Sequence, residues 1–181
     1  MRLYYTTTAK QDALQQKPSQ SLGGFKSSNL VPNSSFDNLF ADVSLLTLEK
    51  NLAEYIGLIL VNERENETGN IKIWVNSPSS NLCKYKIAVV ELNSINQSEM
   101  LPSINSKPLY AEFYEANSEL NSIPIPNMVP NEMYGIWIER TINVNSDEYL
   151  NYNNCDYIYA NQSPSLSEEF DIKISFNDVA N

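Results

Sequence analysis

EYIGLILVN, residues 54–62, decides the fold. Ile56, Leu58 and Leu60 alternate with Tyr55, Gly57, Ile59 and Val61, so both faces of an extended chain are apolar. Such a strand belongs at the centre of a sheet with cover on either side. A polar turn, ERENETGN, follows; beyond it Ile71, Ile73 and Val75 face one way and Lys72 and Trp74 the other. The pattern predicts a hairpin whose second strand is half exposed.

The two-residue rhythm recurs downstream. LCKYKIAVVEL sorts Cys83, Tyr85, Ile87 and Val89 to one face with Lys84 and Lys86 opposite. Leu109, Ala111 and Phe113 repeat it, as do Tyr134, Ile136, Ile138 and Ile142, and finally Phe170, Ile172, Ile174 and Phe176. Period two is the mark of antiparallel sheet with one dry face. Residues 115–132, holding Pro124, Pro126 and Pro130, read as a long connection between sheets. SDEYLNYN, residues 146–153, offers one turn of helix or an irregular loop. The expected fold is all-β, an antiparallel β-sandwich of the immunoglobulin-like or jelly-roll kind, over residues 44–181.

Residues 1–43 differ in kind. They hold Pro18, Pro32 and the pair Gly23-Gly24 among many Ser and Thr, with scattered apolar anchors at Leu3, Tyr4, Tyr5, Leu22, Phe25, Leu39 and Phe40. This is too little apolar surface to collapse alone and too much for an indifferent tail. Arg2, Lys10, Lys17 and Lys26 against Asp12 give residues 1–35 a net +3; the whole chain is at −10, which leaves −13 beyond them. The expectation is an extended N-terminal arm that packs on a neighbouring subunit through Tyr4, Tyr5, Leu22, Gly23, Gly24, Phe25, Asn38, Leu39 and Phe40. Gly23 and Gly24 let it bend, and Asn38, Leu39 and Phe40 fix where it leaves the body. The alternative is an arm folded back along its own sandwich to cover an edge strand.

Composition narrows function. A chain of 181 residues with 42% hydrophobics is long enough for one buried core. With no histidine and two cysteines, Cys83 and Cys155, the common zinc, iron and copper ligand sets are missing, as is the usual base for a serine or cysteine nucleophile. No catalytic residue, cofactor or metal is expected. Glu63, Glu65 and Glu67 suggest a calcium loop only weakly, because Trp74 stands where the closing carboxylate belongs; a solvated turn is the simpler reading. A charge of −10 argues against nucleic acid, and no apolar run approaches the roughly 20 residues that cross a bilayer. Without a secretory leader, the expected compartment is a cytosol. Abundant asparagine reflects base composition and favours turns, since Asn tolerates positive φ. Arg140, on an apolar strand face, reads as a strand-end residue with its head in water, then as a structural ion pair, and last as a catalytic electrophile. Trp74, Trp137 and the eleven tyrosines fit an interface or a sugar-stacking platform.

SLGG, DNLFADVS, EYIGLILVNE, IKIWVN, GIWIER and FDIKISF, in that order, resemble segments of a group of tailed-bacteriophage virion proteins, including those of crAss-like phages. The resemblance spans nearly the whole chain and rests on short, mostly structural motifs. It implies a non-enzymatic neck or tail subunit, a homo-oligomeric ring or adaptor touching other virion proteins, located in the virion and before assembly in the host cytoplasm. A carbohydrate- or receptor-binding module of a virion fibre is the alternative. One departure is plain: members of the group often carry Arg after the strand's Glu-Tyr, where this chain has Ile56.

Overall fold

The structure, a computed structural model, describes residues 1–15, 17–32, 39–40, 51–76, 83–143 and 170–179. Eight strands are found among them: β1 (Arg2–Thr7), β2 (Phe25–Leu30), β3 (Glu54–Val61), β4 (Thr68–Asn76), β5 (Cys83–Glu91), β6 (Ile123–Ile125), β7 (Met133–Ile142) and β8 (Asp171–Asp178). They form two antiparallel sheets, one ordered β2-β1-β3-β7-β5 and the other β6-β4-β8. The expected all-β sandwich is what the chain builds.

The core follows from register. Ile56 stands opposite Ile138, which stands opposite Ile87; Leu58, Ile136 and Val89 form the next row. These rows meet Ile71, Ile73 and Val75 of β4, whose alternation with Lys72 and Trp74 places the short sheet's dry face against them. All eight residues of β3 are buried, because its second face is also covered, by a smaller cluster around Trp137, Tyr55 and Leu101. Burying one such aliphatic side chain is worth about 1.5–3 kcal/mol, so these central rows dominate the stability of the sandwich.

Three expectations need correction. β3 and β4 do not form a hairpin: they lie in different sheets, and residues 62–67 are the corner between them. Asn62, fully buried, makes that corner. Its amide donates to the carbonyls of Asn66 (3.1 Å) and Met128 (2.8 Å), and its oxygen accepts from the Arg64 N–H (3.1 Å) and the Thr68 hydroxyl (3.2 Å). Leu109, Ala111 and Phe113 are not on a strand; that segment touches the sheet by a single bridge, Ile87 with Tyr114. The third correction concerns the arm.

Residues 1–32 do not stand apart from the body. β1 pairs with β3 from Arg2↔Val61 to Tyr5↔Leu58, and β2 pairs with β1. A central β3 needs two neighbours to satisfy its backbone, and β1 is the second. This is the folded-back alternative, and Tyr5, Leu39 and Phe40 lie in the same core cluster as β3, β4 and β7. The outer edge of β2 is closed in turn by residues 12–13, through Asp12 N–H to Lys26 (2.8 Å) and Ser28 N–H to Ala13 (3.0 Å). Residues 146–153, the candidate helical turn, lie outside the described residues, as do Asn38 and Cys155.

Candidate functional site

The described part of the chain carries its most unusual surface on the connection between β5 and β7, residues 92–132. That surface begins with how the sheet beneath it is shaped. Gly57 and Trp137 are register partners, and the indole lies across the glycine: a Cβ there would sit 2.9 Å from two ring carbons. Above the indole runs the turn at Gly23 and Gly24, with φ of 88° and 99°. A Cβ on Gly23 would fall 1.8 Å from the Glu99 carbonyl oxygen, so the backbone approach itself demands glycine there.

Buried hydroxyls hold this turn to the sheet. Beyond Leu58 the β1–β3 ladder opens and Ser21 inserts: its carbonyl accepts from Gly57 N–H (2.8 Å), and its hydroxyl donates to the Gly57 carbonyl (2.6 Å) while accepting from Thr6 N–H (2.6 Å). Ser98, also buried, pairs with Gly24 through both backbone and side chain. Ser21 and Thr6 satisfy one another and Ser98 satisfies the Gly24 backbone, which is how so polar a stretch can be buried.

The connection is tied down along its length. After a turn built on Asn93, whose side-chain oxygen accepts from Ile95 N–H (3.1 Å) and Gln97 N–H (3.0 Å), it bonds Leu101 to Leu22, Ile104 to Tyr55, Tyr114 to Ile87, Ala116 to Val75 and Met128 to Thr68. It crosses to the short sheet, as expected of residues 115–132, but there it adds the strand β6 and then returns to the sheet it left, neither of which the sequence reading contained. Yet seven of the nine exposed large apolar side chains among the described residues fall between Ile95 and Val129. Leu120 is 99% exposed, Tyr110 85% and Leu109 80%. Firm backbone bonding and outward apolar side chains coincide on this segment more than elsewhere among the described residues.

Beside it lies a groove of about 510 Å³. Trp137, Val90 and Ala111 line it with Leu92 and Met100, and Glu91, Glu99 and Tyr110 stand among its margins. Glu99 also accepts from Leu109 N–H at 2.8 Å, which fixes the loop that carries Tyr110.

At the far end of the sheet interface, Arg140 and Glu54 form a nearly buried ion pair, with Arg140 Nε at 2.9 Å and Nη2 at 2.5 Å from one Glu54 oxygen. The guanidinium lies 4.5 Å above the Phe40 ring, and Tyr85 stacks on Phe170 at 4.4 Å beside it. Of its three readings, Arg140 thus matches the structural ion pair. Burial, with Glu139 beside it, pushes the Tyr55 phenol well above its ordinary value, and burial with a hydrogen bond to Glu63 raises Tyr4.

The sequence-derived interface residues are mostly internal. Tyr4, Tyr5, Gly23, Gly24, Leu39 and Phe40 are buried, and Leu22 and Phe25 are half-buried under the connection. Trp137 is 1% exposed and cannot stack on a sugar. Glu63 and Glu67, read as a solvated turn, are engaged by Arg2 and by Asn127. Only residues 115–132 of the connection were read as such, because Leu109, Ala111 and Phe113 mimic a strand; Pro102 and Pro108, which cannot donate to a ladder, were the available signal. No family model, curated protein or solved structure matches the chain.

Proposed function

We propose that the protein is a non-enzymatic structural subunit whose working surface is the β5–β7 connection, serving as a ring or adaptor component of a tailed-phage neck or tail. The contact reading is carried by the apolar side chains of residues 95–129, held outward on a firmly bonded backbone. The virion setting comes from the sequence resemblance. Contacts run through this surface rather than through an exchanged arm, because residues 1–32 serve their own sheet. Repetition of one heterologous contact closes a ring and leaves no apolar patch uncovered.

The receptor-binding reading has one observation in its favour, the exposed Tyr110 beside the groove. Native mass spectrometry of the isolated chain, with protein mass spectrometry of purified particles, separates the two. A closed ring or incorporation into particles is expected. A chain that stays monomeric and is absent from particles would overturn the structural-subunit reading.

A further inference from the structure

We propose that the protein assembles head to tail, the acidic strip at residues 109–121 of one copy docking on the basic edge at residues 10–30 of the next. This deepens the contact reading, on which it rests, by making the partner surface a second copy of the chain. The two surfaces flank opposite edges of one sheet. In the order β2-β1-β3-β7-β5 the first edge is covered by residues 12–13, bonded to Lys26 and Ser28 of β2. The last is met by Tyr114, whose backbone exchanges both bonds with Ile87 of β5 at 2.9 and 3.0 Å. A neighbour at either place therefore meets side chains rather than a free ladder.

Both surfaces are apolar, and their charges are opposite. The strip exposes Leu109, Tyr110, Tyr114 and Leu120 among Glu112, Glu115 and Glu119, with no basic residue. Outside the connection, the exposed large apolar side chains among the described residues are Leu14 and Leu30, and both lie on the β2 edge. Leu30 ends β2; Leu14 sits between Ala13 and Gln15, which bond Ser28 at 3.0 Å and the Asn29 side chain at 2.8 Å. The exposed Lys10 and Lys17 flank Leu14 along the chain. Among the described residues none of these two lysines and three glutamates belongs to an ion pair; Asp12 and Lys26 pair with each other, and Glu112 accepts the Tyr114 hydroxyl at 2.6 Å.

Charge chooses the occupant. Copies of a chain at −10 repel one another unless a positive surface of one meets a negative surface of the next. Residues 1–35, at +3, are the basic part of this chain. Lys72 and Lys84, also exposed and outside ion pairs, have no exposed large apolar residue on their own strands. Lysines 10 and 17 brought against the strip's glutamates set the orientation, while the leucines and tyrosines supply the buried area. Because the two patches differ, the contact is heterologous and repeats in one direction, closing a ring where the rotation permits.

Two charge-reversed variants of the full chain test this, Lys10→Glu with Lys17→Glu and Glu115→Lys with Glu119→Lys, each compared with the parent by size-exclusion chromatography with light scattering. The parent should form higher oligomers that dissociate as salt rises. Each variant alone should associate roughly tenfold more weakly or worse, because like charges then face each other, with the circular dichroism of the parent. Mixed in equal amounts, the two should assemble again, since each reversed surface meets its reversed complement. A carbodiimide, which joins lysine to carboxylate without a spacer, should link Lys10 or Lys17 to Glu112, Glu115 or Glu119 in the parent. The β2 and β5 edges are four strand spacings apart, about 19 Å, so such a link runs between copies. A parent that stays monomeric, variants that assemble like the parent, or a mixture that fails to recover would overturn the inference. If the lysine variant assembles like the parent while Leu109→Ser with Leu120→Ser does not, the head-to-tail pairing falls and the connection stands as a contact surface.

Discussion

The centre of the five-stranded sheet and the β5–β7 connection use the same residue types to opposite ends. In β3 and β7 the alternation of Ile56, Leu58 and Leu60 with their neighbours, and of Ile136 and Ile138 with theirs, buries every one of these side chains to 1% exposure or less. In the connection the same alternation leaves Leu109 80% exposed, Ala111 buried and Phe113 half-buried. The difference is the ladder. Two paired neighbours fix a strand's faces over its whole length, whereas isolated bonds at Leu101, Ile104 and Tyr114 pin the backbone at points and leave orientation to local geometry. Substitutions in the first region should therefore read out in stability, and substitutions in the second in association.

The largest loss of stability should come from the buried end of the sheet. Arg140→Ala leaves the Glu54 carboxylate, 6% exposed, without its cation, which costs about 3–5 kcal/mol in comparable sites. Thermal unfolding should move down by on the order of 10 °C. Replacing both partners, Glu54→Leu with Arg140→Met, should recover much of the loss; equal loss in the single and double variants would show that packing on Phe40, not charge, holds the site. Next comes Gly57→Ala, whose new methyl lies 2.9 Å from the Trp137 ring. Overpacking of this kind costs about 1–3 kcal/mol, and denaturant unfolding together with Trp137 fluorescence should report both the loss and a displaced indole.

Alkaline pH probes the same core from a third side. Burial raises the phenols of Tyr55, Tyr4 and Tyr134 in the folded chain. The unfolded chain releases its tyrosine protons near pH 10, while the folded chain still holds them. Their contribution is thus complete below about pH 10 and is lost as pH climbs beyond it, by about 1 kcal/mol per unit from Tyr55. Tyr55→Phe should flatten that decline in urea titrations between neutral and strongly alkaline pH. An unchanged slope would mean that Tyr55 ionises as freely folded as unfolded.

Most of the sandwich was legible in the sequence where alternation met a paired ladder: β3, the inward face of β4, β5, β7 and β8. Asparagine was legible too, for among the described non-glycine residues at positive φ are Asn51, Asn70, Asn96 and Asn131, with Asp12. The N-terminal strands were not. Their composition reads as too polar to be buried, and only the structure shows Thr6, Ser21 and the Gly57 backbone satisfying one another. The change of sheet at Asn62 was equally hidden, since one buried amide bonded to Met128, 66 residues along the chain, does the turning. Of the candidate site, Tyr4, Tyr5, Gly23 and Gly24 were expected as anchors and bends of an arm, and the structure buries them against the chain's own sheet.

The smallest expected effect on stability is the most informative for function. Leu120 touches almost nothing, at 99% exposure, and sits in a short 3₁₀ turn whose Ser118 and Asn121 bond each other's side chains and backbone independently of it. Leu120→Ser should leave the unfolding free energy of the isolated chain within about 0.5 kcal/mol, as for other exposed substitutions. If the connection is a contact surface, the same change, alone or with Leu109→Ser, removes apolar area that only an assembled state buries. Native mass spectrometry at matched concentrations should then show fewer or no higher oligomers, with identical far-ultraviolet circular dichroism. Should both variants assemble like the parent, these leucines are merely tolerated at the surface, and the contrast between the two regions reduces to one of packing.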